Sequence, residues 1–358
     1  MPGPEQTPLA RLIGEQVALE GPLRIDRYMG LCLGHPQHGY YITRDPFGAR
    51  GDFITAPEVS QVFGELIGVW AVAAWGLMGE PGRVHLVELG PGRGTLMADV
   101  LRTLRRAAPR LAAGASVHLV ETSPVLREAQ RKAVGEGAVW HDRLEDVPAD
   151  APMILLANEF FDAIPIRQFE FRSGTWHERV VGIDASGQLA IGLGATVPGR
   201  GGAEGEIREA APARDEIARS LGQRLARQKG AALIIDYGHL RTAPGDTLQA
   251  LRDHRPVPVT EAPGDCDLTS HVDFQALAAA LREGGAATHP PLTQRQFLLA
   301  MGLEPRIGQL AARADAETAA VLHRQMARLA DEGQMGNLFK VLAATSPGLA
   351  TPYPFGPS

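Results

Sequence analysis

The run Val84-His85-Leu86-Val87-Glu88-Leu89-Gly90-Pro91-Gly92-Arg93-Gly94-Thr95 constrains this chain more than any other stretch. Its first six residues have the apolar, β-branched character of a buried parallel strand, and from Thr95 the apolar residues return at helical spacing. Three glycines therefore fall in a strand-to-helix turn. Such a turn lets backbone approach a ligand without Cβ interference, and the helix that follows offers unpaired N–H groups and a partial positive charge.

Spacing narrows the ligand. A dinucleotide turn reads G-x-G-x-x-G, whereas here the glycines stand at 90, 92 and 94 and position 95 is threonine. A nicotinamide oxidoreductase is thereby disfavoured. Glu88, just before the turn, is placed to accept from a cationic amino group; S-adenosylmethionine carries one and has no pyrophosphate to cradle. Gly90, Pro91, Gly92, Gly94 and Thr95 complete the expected cofactor turn. A second strand-like run, Val117 to Glu121, ends in a carboxylate ahead of Ser123-Pro124, an N-cap followed by a first-turn proline. At the carboxyl end of a strand, Glu121 is expected to accept from ribose hydroxyls.

A third strand end carries the chemistry. Met153 to Asn158 reads as a buried strand, and Asn158-Glu159-Phe160-Phe161-Asp162 follows it with an amide and two carboxylates at the lip of the sheet. Asn158 joins the cofactor set. Methyl transfer requires an aligned acceptor lone pair and a destination for its proton, and carboxylates hold a planar guanidinium bidentately. Glu159 and Asp162 are the candidate catalytic groups. Asp52, Thr55, Glu58 and His271 are candidate substrate-binding residues, the first three in a Gly-aromatic loop that also reads as a helix start. Asp236 closes a strand and reads equally as a crevice residue or part of a turn.

The alternation of strands and helices predicts an α/β chain with a Rossmann-like parallel sheet and right-handed crossovers. A helical N-terminal extension and lid occupies 1–80, with helices after Thr7-Pro8 and through Ile25, Met29 and Cys32, then a long one from about Glu58 to Met78. The cofactor domain runs over 81–163 and 231–346, with an insertion near 239–270. Residues 164–230 are read as inserted antiparallel strands and a helix, with a mobile loop from Val197 to Glu209. Capping boxes are expected at Ser270–Asp273 and Thr293–Gln296. Leu338 to Leu342 is the expected last strand, and 347–358 a flexible tail.

Net charge of −6 and a pI near 6.0 supply no bulk attraction to nucleic acid. Thirty-two of the 35 basic residues are arginine, a skew that weakens arginine abundance as a sign of phosphate binding. Cys32 and Cys266 have neither disulfide-framework nor metal-ligand spacing, so no metal is expected and the compartment reads as reducing. The N-terminus lacks a basic segment and an apolar signal core, and the longest uncharged apolar stretch, between Glu65 and Glu80, is shorter than the ~20 residues that span a bilayer. The expected location is cytoplasmic, without membrane insertion.

The motifs taken together resemble a known family. GDFITAPEVSQVFGE (51–65), VELGPGRGTL (87–96), ANEFFDAIPIRQF (157–169), IIDYG (234–238) and DLTSHVDF (267–274) occur in order, and the resemblance to the MidA family spans roughly 7–343. These are class I S-adenosylmethionine-dependent methyltransferases that include the mitochondrial complex I assembly methyltransferase. The resemblance implies a seven-strand methyltransferase sheet with inserted antiparallel and helical substrate-binding elements. For the mitochondrial relative it further implies symmetric dimethylation of an arginine in the complex I 49-kDa subunit. The rival from another class is a cofactor-binding assembly chaperone with weak or no transferase activity.

Overall fold

The computed structural model describes residues 6–43 and 55–356. At its centre lies a twisted sheet whose main strands, labelled in chain order, are β1 (Val84–Leu89), β2 (Ala115–Val120), β3 (Ala138–His141), β4 (Met153–Asn158), β5 (Gly230–His239), β6 (Ala287–Thr288) and β7 (Phe339–Thr345). Their spatial order is β3-β2-β1-β4-β5-β7-β6. The first five are parallel; β7 runs antiparallel to β5, and β6 antiparallel to β7. Every residue of β1, β4 and β7 is buried, as expected of strands covered on both faces. These seven main strands form the sheet that the resemblance implies.

Helices Gln61–Leu77 and Thr95–Ala107 pack one face of the sheet through Phe63, Ile67, Trp70, Met97 and Leu104. Pro212–Gln228 and Phe274–Glu283 pack the other through Leu221, Leu225, Phe274 and Leu281. The order of strands reverses between β1 and β4. Open α/β sheets bind ligands outside the carboxyl ends at such a switch point.

A third core fastens the N-terminal helices to the insertions. Ile13, Tyr28, Met29 and Cys32, on helices Pro8–Glu20 and Ile25–Gly34, meet Ile166, Val181 and Leu268. Leu23–Arg24 even pairs with Val180–Val181 of the inserted antiparallel sheet, formed by Arg167–Arg172, Thr175–Ile183, Leu189–Val197 and Ile207–Ala210.

Several expectations change. The long helix is two, Ala56–Val59 and Gln61–Leu77, because Ser60 is extended and its hydroxyl accepts from Val62 N–H. The segment read as a mobile loop supplies strand Ile207–Ala210, held to Arg167–Glu170. Ser270 opens no helix: Asp273 is the N-cap, accepting from the amides of Gln275 and Ala276. The capping box at Thr293–Gln296 is formed as expected. The tail is anchored through residue 356 rather than loose, since Phe355 is buried against Phe297 and the Tyr353 hydroxyl donates to Ala300 O. Among the described residues no helix is long and apolar enough to cross a membrane.

Candidate active site

The glycine turn leaves the sheet at the switch point. Gly90 and Gly92 adopt φ of 60° and 53°, and a Cβ on Gly90 would lie 2.8 Å from Phe160 Cδ2. Only glycine fits both constraints at Gly90. Gly94 serves a different contact from the one expected: it is the left-handed N-cap of helix Thr95–Ala107 and faces Gln130 and Val134 of helix Pro124–Val134. Its role is packing. Thr95 Oγ1 donates to Glu58 Oε1 at 2.5 Å, fastening the turn to the segment before Gln61–Leu77.

A cavity of about 30 Å³ lies against this turn, lined by Thr55, Glu58, Glu88, Gly90, Pro91, Gly92, Thr95, Asn158 and Glu159 among others. Glu88 is buried, and burial pushes its carboxyl up to about 8, eased by the amide of Met97. Its Oε2 has no hydrogen-bond partner, and neither has Asn158 Oδ1. Buried acceptors left unpaired cost about 1–3 kcal/mol each. An ammonium would satisfy both, so these residues fit the amino group of S-adenosylmethionine.

Beyond it opens a cleft of about 640 Å³. Glu121 lines it, with Oε1 accepting from Ser123 N–H at 2.8 Å and Oε2 from Gln130 Nε2 at 3.2 Å. Sequence reading missed Gln130. It also donates to Gly92 O and accepts from Trp140 Nε1, tying the turn, Glu121 and β3 together. Its signal was a polar residue four positions after Leu126, on the buried face of its helix. Asp142, Arg143 and Leu144, after β3, extend the same wall, and Gly30, Leu33 and Tyr41 from the N-terminal helices form another.

The far wall is acidic. Glu159 has a φ of 52°, unusual for a residue with a side chain, and its amide donates to Ile235 O. Its Oε1 accepts from Ala56 N–H at 3.1 Å and Asn158 Nδ2 at 3.0 Å. Burial, then the neighbouring Asp162, pushes its carboxyl up to about 7. Asp162 is buried with Oδ1 unpartnered, and burial raises its pKa as well. Asp236, fully buried in the C-terminal half of β5, accepts from the amides of Phe161 and Asp162 at 3.0 and 3.2 Å and so shapes the Glu159 loop. Asp267 accepts from the Tyr41 hydroxyl at 2.9 Å.

One buried cation stands among them. Arg214, on helix Pro212–Gln228, donates to Asp162 O, Ser270 O, Ser270 Oγ and His271 O, bracing both acidic loops. Nothing in the sequence marked it. Replacing it with leucine leaves Asp162 and Asp236 facing each other uncompensated, and removal of one partner from a buried charge cluster costs about 3–5 kcal/mol. A lowered melting temperature in Arg214→Leu is the expected result, and an unchanged one would show that the cluster is already neutral.

The remaining expected residues divide clearly. Thr55 borders both cavities, whereas His271 lines neither: its ring stacks edge-on against Tyr237 and its backbone serves Thr247 and Arg214. His271 therefore sits behind the wall rather than in it. Asp52 lies outside the described residues. Among the described residues no group of three or more His, Cys, Asp or Glu is placed to hold a metal.

This sheet, the glycine turn at its switch point and the paired acids at strand ends define a class I S-adenosylmethionine-dependent methyltransferase. Comparison with known proteins agrees. The chain belongs to the MidA-like family of S-adenosyl-L-methionine-dependent methyltransferases, whose model matches residues 66–292. It is 37% identical to the Drosophila melanogaster protein arginine methyltransferase NDUFAF7 homolog, mitochondrial, over 94% of this chain and 84% of that one. Identity to the human protein arginine methyltransferase NDUFAF7, mitochondrial, is also 37%, covering 84% and 75%. Among solved structures, a Burkholderia thailandensis protein bound to S-adenosyl-homocysteine superposes with a TM-score of 0.81 at 28% identity, over 97% of this chain and 96% of that one.

Proposed function

We propose that the protein transfers methyl groups from S-adenosylmethionine to the guanidinium of an arginine in a protein substrate. The acidic far wall carries this reading: Glu159, Asp162 and Asp267 line the cleft, Asp162 and Asp267 buried, and the fully buried Asp236 stands behind them beside Arg214. Burial raises the pKa of Glu159, Asp162 and Asp236, the signature of carboxylates whose desolvation is unrepaid. An entering guanidinium repays it. The names of the relatives, protein arginine methyltransferases, support the same acceptor class.

The bound cofactor supplies an electrophilic methyl group on a cationic sulfur. In this reading Glu88 and Asn158 receive its ammonium, Glu121 its ribose, and Gly90 and Gly92 give the backbone clearance that lets it lie against the turn. Glu159 and Asp162 orient the acceptor so that one nitrogen points along the methyl–sulfur axis. Guanidinium and its methylated product each carry one positive charge, so one proton leaves per transfer. Glu159, with a pKa of about 7, is the group we assign to take it.

On the MidA resemblance, the acceptor is an arginine in the homologue of the complex I 49-kDa subunit, taken to the symmetric dimethyl form in the cytoplasm in support of complex assembly. Incubation with labelled S-adenosylmethionine and the purified subunit, followed by mass spectrometry, tests this. Label on an arginine supports the reading; cofactor and subunit binding without transfer turns it to the chaperone. In cells, the same dimethylarginine is expected to vanish when the gene is deleted.

Glu88 gives an independent test of the cofactor pose. A group at about 8 is partly protonated at pH 7.5 and loses its proton when an ammonium arrives. Cofactor binding is therefore expected to release a fraction of a proton, read as a calorimetric enthalpy that changes with the buffer's ionisation enthalpy. Equal enthalpies in phosphate and Tris would remove Glu88 from the ammonium contact.

A further inference from the structure

Helices Gln61–Leu77 and Thr95–Ala107, together with the start of Leu303–Ala311, enclose a second cavity of about 330 Å³ that shares no lining residue with the cleft or the cofactor turn. Three arginines line it: Arg102, Arg106 and Arg306. Arg102 holds Asp99 through Nη2 at 2.6 Å, while its Nη1 is buried without a partner. Arg306 holds Glu65 through Nε at 2.7 Å. Arg106 makes no ion pair among the described residues. Two carboxylates thus offset two of three guanidinium charges, leaving one positive charge and one unsatisfied buried donor.

Two further features leave room for a ligand. Gly302, also on the wall, begins Leu303–Ala311 in the left-handed conformation and projects no side chain into the cavity. The remaining surface is largely apolar, with Leu66, Val69, Met301 and Pro305. Val69 stands 43% exposed there.

We propose that this cavity binds a small oxyanion with an apolar body, a phosphate monoester or a carboxylate. The oxyanion bridges Arg102 Nη1 and the Arg106 guanidinium, completing a fork that Asp99 fills on one side only. The apolar body lies over Val69 and Met301. Size suits it, since small-ligand pockets begin at roughly 300 Å³.

Butyl phosphate and hexanoate, titrated separately into the full chain by calorimetry at low ionic strength, test the site, with sodium chloride as the control for screening. Saturable binding of either probe with a Kd of about 1 mM or tighter is expected, weakened about tenfold in the exposed-site variant Arg106→Gln while S-adenosylmethionine affinity stays the same. Preference for butyl phosphate assigns a phosphate ligand, and preference for hexanoate a carboxylate. Absence of saturable heat with both probes, or equal affinity in Arg106→Gln, would overturn the proposal.

Discussion

Replacing Glu159 with glutamine is expected to lower kcat by about 10²–10⁴-fold while leaving S-adenosylmethionine affinity within a few fold. Glutamine keeps the acceptor oxygen for Ala56 N–H and Asn158 Nδ2, so the loop holds its shape and only the proton acceptor is lost. Wild-type activity carries a second mark. Because Glu159 accepts only when ionised, kcat/KM is expected to fall with a limb near pH 7 as the pH is lowered, and that limb should be absent from residual activity in the variant. A variant with undiminished turnover would take Glu159 out of the mechanism.

The same substitution should stabilise the protein. A carboxyl raised from 4.5 to about 7 by folding penalises the folded state: the penalty is absent below about pH 4.5, grows as the pH rises, and is complete above about 7. At about 1.4 kcal/mol per unit, the full penalty is about 3 kcal/mol. Glu159→Gln should therefore melt higher than wild type at pH 8 and nearly the same at pH 4.5. Loss of turnover with gained stability distinguishes a functional residue from one whose removal merely damages the fold.

Gly92→Val is the second large effect. Gly92 lines both the cleft and the small cavity, at a φ of 53° that a β-branched residue rarely adopts, and its carbonyl accepts from Gln130 Nε2. The variant inserts an isopropyl group where the proposed cofactor pose needs bare backbone. Loss of detectable S-adenosylmethionine binding is expected, with far-ultraviolet circular dichroism unchanged. Wild-type affinity in calorimetry would sink the assignment of the turn.

The strand-end half of the candidate site, expected cofactor residues and the expected catalytic Glu159 together, was legible as a cluster because its information is local. Glu88, Gly90, Gly92, Glu121, Asn158 and Glu159 all stand at strand ends, and strand ends are visible as apolar runs that stop. Gly94 was legible as a glycine but not as a packing residue, since the contact that requires it comes from Gln130, on another helix. Arg214 and Asp267 were invisible for a stronger reason: in a helix or loop read alone, an arginine or aspartate has the solvent as its default partner. Their burial follows from contacts such as Arg214 to Ser270 and Tyr41 to Asp267, which no short-range pattern encodes. His271 shows the converse error. It stood beside Asp273 in a polar run, and the fold uses its backbone.

The third core has a consequence for how the enzyme is made. Thr7 Oγ1 donates to Pro263 O, and the Tyr28 hydroxyl to Val259 O, across 256 and 231 residues of chain. On a ribosome, the first helices emerge long before the segment that will cover their apolar faces has been translated. Until then Ile13, Met29 and Cys32 are exposed to other chains. The wall that Gly30, Leu33 and Tyr41 give the cleft forms only after the segment that covers it is translated, so a nascent chain that already has its complete cofactor turn still has an open, unfinished substrate chamber.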